Sequence, residues 1–327
     1  MLGLVGVLGV LMLSIAAIGG WRWLEARVHG PGPSAEAVEI VVPRGAGLAS
    51  IALDLADAGV IRSPDELTLY AKFRGAAGSL QAGEYRFPAA ASLAAVTDQM
   101  IRGDVLQRRV TIAEGLTSAQ AVQVIAEAEA MSGEITAIPP EGALLPETYL
   151  YTRGDERAAL VAQMTAAMDD ALAELWAARA DDLPFDTPED ALILASIVEK
   201  ETGIDGERGR VAAVFVNRLR RGMRLQSDPT VIYGVTGGET FDLGRRIRRS
   251  ELDADNPYNT YKIAGLPPTP IANPGREAIA ATLNPPTTDE LYFVADGSGG
   301  HAFARTLREH QANVRKWRAI QRERGLR

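Results

Sequence analysis

Hydrophobic and polar positions fall into three regimes along the chain. From Met1 to Gly20 there is no charged side chain and most positions are apolar, a run of about the ~20 residues that cross a hydrocarbon core. Trp21 and Trp23 follow at once, flanked by Arg22 and Arg27, an arrangement suited to the headgroup layer. The spacing predicts a transmembrane helix anchoring the chain over residues 1–21. A cleaved signal peptide fits less well, because the run is long and lacks a clear small-x-small exit. The Arg residues lie on the C-terminal side, so counting positive charges alone places the body in the cytoplasm. Gly30-Pro31-Gly32-Pro33-Ser34 then breaks regular structure, and residues 22–36 are expected to form a tether.

The second regime is short-range. Val38, Ile40 and Val42 alternate with Glu39 and Val41 as in a strand, and Leu48 to Ala58 takes helical spacing and stops at Gly59. Ser63-Pro64-Asp65-Glu66 combines a capping hydroxyl, a first-turn proline and two acids, predicting a helix to about Arg74. Gly83 to Phe87 reads as a returning strand, and Ser92 opens a helix ending near Gly103. The order strand, helix, helix, strand, helix defines a module over 37–106.

The third regime, 107–327, starts with strand, turn and helix start over Val110 to Thr117 and mixes helical runs with polar, Pro-rich loops. A helix is predicted over Ala158 to Ala180, its Met residues serving as packing. Leu291 to Ala295 reads as a buried strand running into the turn Gly297-Ser298-Gly299-Gly300 and then His301-Ala302-Phe303. The fold class expected is α+β, with an N-terminal transmembrane helix, a small module and a larger mixed domain whose Glu-bearing helix floors a groove.

Composition narrows the chemistry. The 327 residues hold no cysteine and only three histidines, His29, His301 and His310, with no H-E-x-x-H pair, so thiolate chemistry is excluded and a zinc hydrolase is disfavoured. His301 reads as structural or substrate-positioning rather than as a metal ligand. A formal charge of -8 argues against nucleic acid as a partner. No metal or organic cofactor is expected.

One segment stands out for chemistry. Thr187-Pro188-Glu189-Asp190 begins a helix with a cap, a first-position proline and acids, and Gly203 is expected to end it in a left-handed conformation. At about 100° per residue, Glu201 falls with Leu194, Ile197 and Val198 on the most apolar sector, while Glu199 points nearly the other way. Desolvation and the negative end of the helix dipole both disfavour an anion there and raise the pKa, as a general acid near neutral pH requires. The alternative is an ordinary last-turn glutamate paired with Arg208 or Arg210. Farther on, Gln226-Ser227-Asp228-Pro229-Thr230-Val231-Ile232-Tyr233 and Asn256-Pro257-Tyr258-Asn259-Thr260-Tyr261 concentrate amides and rings. Amides hydrogen-bond sugar hydroxyls and rings cover pyranose faces, although Asp-Pro and Asn-Pro are also turn formers.

Ordered motifs then carry a resemblance. Ala195-Ser196-Ile197-Val198-Glu199-Lys200-Glu201-Thr202, Val216-Asn217-Arg218-Leu219, Gly222 through Tyr233, Tyr258-Asn259-Thr260-Tyr261, Gly265-Leu266-Pro267-Pro268, Asn273-Pro274-Gly275 and Leu291-Tyr292-Phe293-Val294-Ala295 together resemble the YceG-like family, the endolytic murein transglycosylases also called MltG. The resemblance implies that Glu201, the Glu before Thr in Glu-Lys-Glu-Thr, is the catalytic acid. It implies a LysM-like module over 37–106, a catalytic domain over 107–327, an inner-membrane anchor and a body outside the cytoplasm. The implied reaction cuts the β-1,4 bond between N-acetylmuramic acid and N-acetylglucosamine in nascent peptidoglycan, leaving 1,6-anhydro ends, with peptidoglycan synthases as possible partners. Asn217, Gln226, Asp228, Tyr233, Tyr258 and Asn259 are the substrate-binding candidates, by residue type and motif membership. Where the family usually has Asp, this chain has Glu147, within Glu141-Gly142-Ala143-Leu144-Leu145-Pro146-Glu147-Thr148-Tyr149. A non-catalytic peptidoglycan-binding scaffold and a hydrolytic muramidase, with Asp228 as its second carboxylate, remain alternatives.

Overall fold

The computed structural model describes residues 18–325; most of the expected anchor, residues 1–17, lies outside them. Among the described residues no helix is long and apolar enough to cross a membrane. The fold is mixed α+β, and its chain divides into two compact units, one ending at Arg108 and taking back Leu150–Gly154, the other holding Arg109–Tyr149 and Asp155 onward.

The first unit opens with helix α1, residues 18–29. Part of the expected tether is therefore helical, and Val28 is buried in this unit's core with Leu55, Leu67, Tyr85, Phe87 and Met100. Then follow β1 (Val38–Val42), α2 (Leu48–Asp57), α3 (Pro64–Phe73), β2 (Gly83–Phe87) and α4 (Leu93–Arg102). β1 and β2 pair antiparallel, Val38 opposite Phe87 and Val42 opposite Gly83. Local chemistry sets the helix ends: Ser63 Oγ accepts from the Asp65 N–H at 3.3 Å, Ser92 Oγ accepts from the Ala95 N–H at 3.2 Å, and Gly103 closes α4 at φ 70°. Glu84, only 5% exposed, is held by Arg108 and Arg153, each at 3.0 Å.

Strands β3 (Arg108–Thr111) and β4 (Thr148–Tyr151) pair where the chain passes between units. The second unit otherwise comprises α5 (Ser118–Glu127), α6 (Arg157–Ala177), α7 (Pro188–Glu201), α8 (Asp205–Arg220), α9 (Asp228–Thr236), α10 (Arg249–Leu252), α11 (Arg276–Leu283), β5 (Tyr292–Ala295), β6 (His301–Ala304) and α12 (Leu307–Glu323). β5 and β6 form an antiparallel hairpin, and Gly297 and Gly299 take the positive φ its turn needs. α7 is central, packed by α6, α8, α9 and α11. Every residue from Ile193 to Val198 is buried, so α7 is covered all round rather than along one stripe. Met164 and Met168 of α6 are likewise fully buried.

Candidate active site

The site is built where α7 runs out. Thr187 Oγ1 caps its start, accepting from the Asp190 N–H at 3.2 Å, and Pro188 takes the first turn. At the other end the helix stops not at a left-handed Gly203 but at Thr202, whose backbone is extended (φ -145°) and whose Oγ1 accepts from the Ile204 N–H at 3.0 Å. This stop leaves Glu201 as the last helical residue, partly buried, with Oε1 accepting from Ser227 Oγ at 2.5 Å. The Glu201 carboxyl is pushed up to about 7, chiefly by burial with the Asp228 charge adding to the rise, while Ser227, His301 and Arg218 pull against it. Arg208 and Arg210 are engaged elsewhere, Arg208 near Glu114 and Glu199, and Arg210 on Glu290.

Ser227 and Asp228 are presented by a strapped loop. Gln226 sits at φ 52°, left-handed for a residue with a side chain, and its N–H donates to Thr260 O at 3.1 Å. The Ser227 N–H donates to Thr260 Oγ1 at 2.9 Å, and Thr230 Oγ1 donates to Ser227 O at 2.7 Å. Asp228 opens α9 and accepts from the Tyr261 hydroxyl at 2.6 Å. Burial, with Asp228 alongside, drives the Tyr261 phenol well above its ordinary range, so Tyr261 stays a donor. Glu201, Ser227, Asp228 and Tyr261 thus form one polar cluster with Gln226 and Asp228 exposed beside it.

Farther along α9, Tyr233 is buried and its ring lies 4.8 Å from that of Tyr258, whose hydroxyl shares a 2.8 Å hydrogen bond with Thr269 Oγ1. Burial pushes Tyr233 up to about 12, helped by the Glu141 carboxylate. Glu141 itself is pushed up to about 7 by burial, although both its oxygens accept from the Ser118 N–H at the start of α5. Lys200 places its Nζ 3.9 Å from the Phe241 ring centroid, and Phe241 lies 6.4 Å from Tyr233.

Two amide candidates have their donors turned inward. Asn217 Nδ2 donates to Thr288 O at 2.8 Å and Glu290 O at 3.1 Å, pinning α8 to the segment before β5. Asn259 Nδ2 donates to Leu252 O at 3.0 Å and Ala254 O at 2.8 Å, bracing its own loop. Of the sequence candidates, Glu201 and Asp228 meet in this cluster, Gln226 adjoins it in the chain, and Tyr233 and Tyr258 pack ring to ring farther along α9. The geometry adds Ser227, Tyr261, Arg218 and Glu141. Ser227 and Tyr261 are in the quoted motifs, but their contacts span 26 and 33 residues of chain and only folding pairs them. Arg218 is buried, donating Nε to Leu291 O at 2.7 Å. His301 shares a 2.7 Å hydrogen bond with Glu207 through Nδ1.

Glu199, opposite Glu201, is also buried: its Oε2 accepts from the Gly275 N–H at 2.9 Å and Arg208 lies 3.9 Å from Oε1. Nearby, Asn273 Oδ1 accepts from the Leu144 N–H and its Nδ2 donates to Leu116 O, both at 3.0 Å. These motif residues hold the scaffold.

The model of the YceG-like family matches residues 40–316. The chain belongs to the YceG-like family. This YceG-like chain is 30% identical over 311 residues to the endolytic murein transglycosylase of Bacillus subtilis (strain 168), covering 86% of this chain and 84% of that protein. It is 27% identical over 349 aligned positions to the endolytic murein transglycosylase of Streptococcus pneumoniae serotype 2 (strain D39), covering 93% of this chain but only 62%, less than two thirds, of that longer protein. Among solved structures, a yceG-like protein from Listeria monocytogenes superposes with TM-score 0.52 at 27% identity, over 85% of this chain and 99% of that one.

Proposed function

We propose that this chain is an endolytic peptidoglycan lytic transglycosylase with Glu201 as its single acid and base. The observation that carries this reading is a carboxyl at the end of a buried helix, raised to about 7 and oriented by Ser227, in a family whose relatives are named for this reaction. Protonated Glu201 donates to O4 of N-acetylglucosamine as the bond from muramic C1 to O4 breaks. The muramic C6 oxygen then bonds to C1, and its proton passes to the Glu201 carboxylate, restoring the acid without added water. The substrate's acetamido group helps carry positive charge at C1, so no second carboxylate need attack. Asp228, fixed by Tyr261, disfavours a second anion nearby and keeps Glu201 protonated for the first step.

The exposed Gln226 and Asp228 and the Tyr258 ring are the glycan-contacting groups in this reading; Asn217 and Asn259 brace the neighbouring backbone through their amide donors, and Tyr233 packs against the Tyr258 ring. The body works on the outer side of the bacterial cytoplasmic membrane, anchored through the N-terminal segment and within reach of peptidoglycan synthases. The first unit is LysM-like, a reading supported by its β1-α2-α3-β2 order and antiparallel pairing.

The test is the full chain in detergent, with Glu201→Gln alongside, on peptidoglycan containing uncrosslinked strands, with products resolved by mass. The full chain is used because a body starting at Ser34 lacks Val28 from its core. Internal cleavage to anhydro ends by the wild type alone is expected. Ends that have gained water indicate a muramidase, and strands bound but intact indicate a scaffold; either result overturns the proposal.

A further inference from the structure

The first unit carries an apolar surface that its own fold leaves in water. Phe73 is 86% exposed, Leu69 69%, Trp21 67% and Trp23 61%, and with Leu24 they line a single concavity between α1 and α3. Leu69 and Phe73 are one turn apart on α3 and so share a face. Isolated exposed apolar residues are ordinary, but a contiguous patch of large ones marks an interaction surface.

The orientation of α3 says what meets this surface. Glu66, in its first turn, pairs with Arg27 near the end of α1 at 3.4 Å, whereas Leu69 and Phe73 share the concavity with Trp21, Trp23 and Leu24 near the start of the described helix. The two helices therefore run antiparallel, and the last turn of α3 lies beside the first described turns of α1, which in the sequence follow an uncharged stretch. Val28 locks α1 into the core of the unit, so α1 and α3 present their apolar side chains as one surface. The patch carries Trp21 and Trp23 with Arg27, which lies 5.4 Å from the Trp23 ring centroid, and with Glu25 and Glu66 as the acids; Arg22 and Lys72 are next in sequence to its Trp and Phe73 residues. Aromatic rings with cations beside them are the composition of a bilayer interface.

We propose that the last turn of α3 and the first described turns of α1 form one lipid-contacting face, which lays the N-terminal module on the membrane surface with Phe73 and Leu69 among the headgroups. The contact is separate from the chemistry at Glu201 and does not depend on it. It holds this module against the bilayer at a set height.

Because the chain has no cysteine, Phe73→Cys and Leu69→Cys each give one attachment point for an environment-sensitive NBD fluorophore. Asp57→Cys, at an exposed position on α2, serves as reference. The full chain is reconstituted in vesicles of phosphatidylethanolamine and phosphatidylglycerol, and folding of each variant is checked by its circular dichroism melt. The fluorophore at 73 and at 69 is expected to emit to the blue of that at 57, to be quenched by nitroxide-bearing lipid and to be shielded from aqueous iodide. Equal iodide quenching at all three positions overturns the proposal. So does a blue shift that fades as protein is diluted into excess lipid, which reports contact with a second copy of the chain.

Discussion

Glu201 is defined by the free energy of its charge. Its ordinary pKa of 4.5 rises to about 7 in the folded chain, so the folded state holds the proton more tightly than the unfolded one. Below 4.5 both states are protonated and the side chain adds no penalty; stability is lost as pH rises through 4.5 to 7, and above 7 the buried anion costs up to about 3 kcal/mol. Glu201→Gln keeps the acceptor for Ser227 and removes that charge. Denaturant unfolding should find this variant more stable than wild type at pH 8, with the difference gone at pH 4. The same energetics governs activity, since the acid form is needed for the first proton transfer. Ser227 lowers the pKa and Asp228 raises it, so Ser227→Ala should move the alkaline limb of the kcat/KM profile upward and Asp228→Asn should move it downward. Two limbs moving in the same direction contradict this electrostatic assignment.

At the scale of elements, α7 explains both what the sequence made legible and what it hid. Its start follows from Thr187 and Pro188, where local chemistry decides. Its apolar sector correctly sets Glu201 among buried neighbours, but the polar-looking side with Glu199 is covered as well, by Gly275 and Arg208. Periodicity reports contrast around a helix, and a central helix has partners all round. The same limit applies to Gln226 through Tyr233: Asp-Pro looked like turn chemistry, yet Pro229 occupies the first turn of α9. Asn217 and Asn259 suit sugar binding by type, but their partners are backbone carbonyls that only the folded chain brings near. Asn273 is the strongest case of a motif residue serving structure. It is fully buried and joins Leu116, Ser118 and Leu144 across more than a hundred residues of chain. Asn273→Ala strands the buried Leu144 N–H, while Leu116 O keeps the backbone N–H of residue 273 at 2.8 Å, and should cost about 1–3 kcal/mol in urea unfolding. Thr269→Val removes the hydroxyl shared with Tyr258 while keeping the volume; if the ring contacts glycan as proposed, without joining proton transfer, it should raise KM for glycan strands more than it lowers kcat.

For the whole molecule, the informative feature is the path of the chain. The strand, turn and helix start after Gln107 suggest a boundary between 106 and 107, whereas the first compact unit runs to Arg108 and also reclaims Leu150–Gly154. That return is illegible in the sequence because five residues carry no periodicity and no cap; its purpose is visible only at Glu84. With a side chain 5% exposed on β2, Glu84 needs cations, and it receives Arg108 from the chain's exit and Arg153 from its return. Hydrogen bonds from Arg108 hold its carboxyl below the ordinary carboxylate range, with Arg153 assisting against the burial that works the other way. The stabilisation from this triad is therefore present above the ordinary carboxylate pKa and is lost as pH falls through the depressed one. Arg153→Ala leaves Arg108 in place, and Arg153 is 40% exposed, so solvent screening limits the loss to about 1 kcal/mol; removing both arginines leaves a buried carboxylate unpaired and should cost about 3–5 kcal/mol. Hydrogen exchange at the Tyr85 and Phe87 amides reads the unit directly. Faster exchange there in Arg153→Ala at neutral pH, converging with wild type as Glu84 is protonated, is the expected outcome, and unchanged exchange at neutral pH would mean that the returning segment adds nothing to the unit it joins.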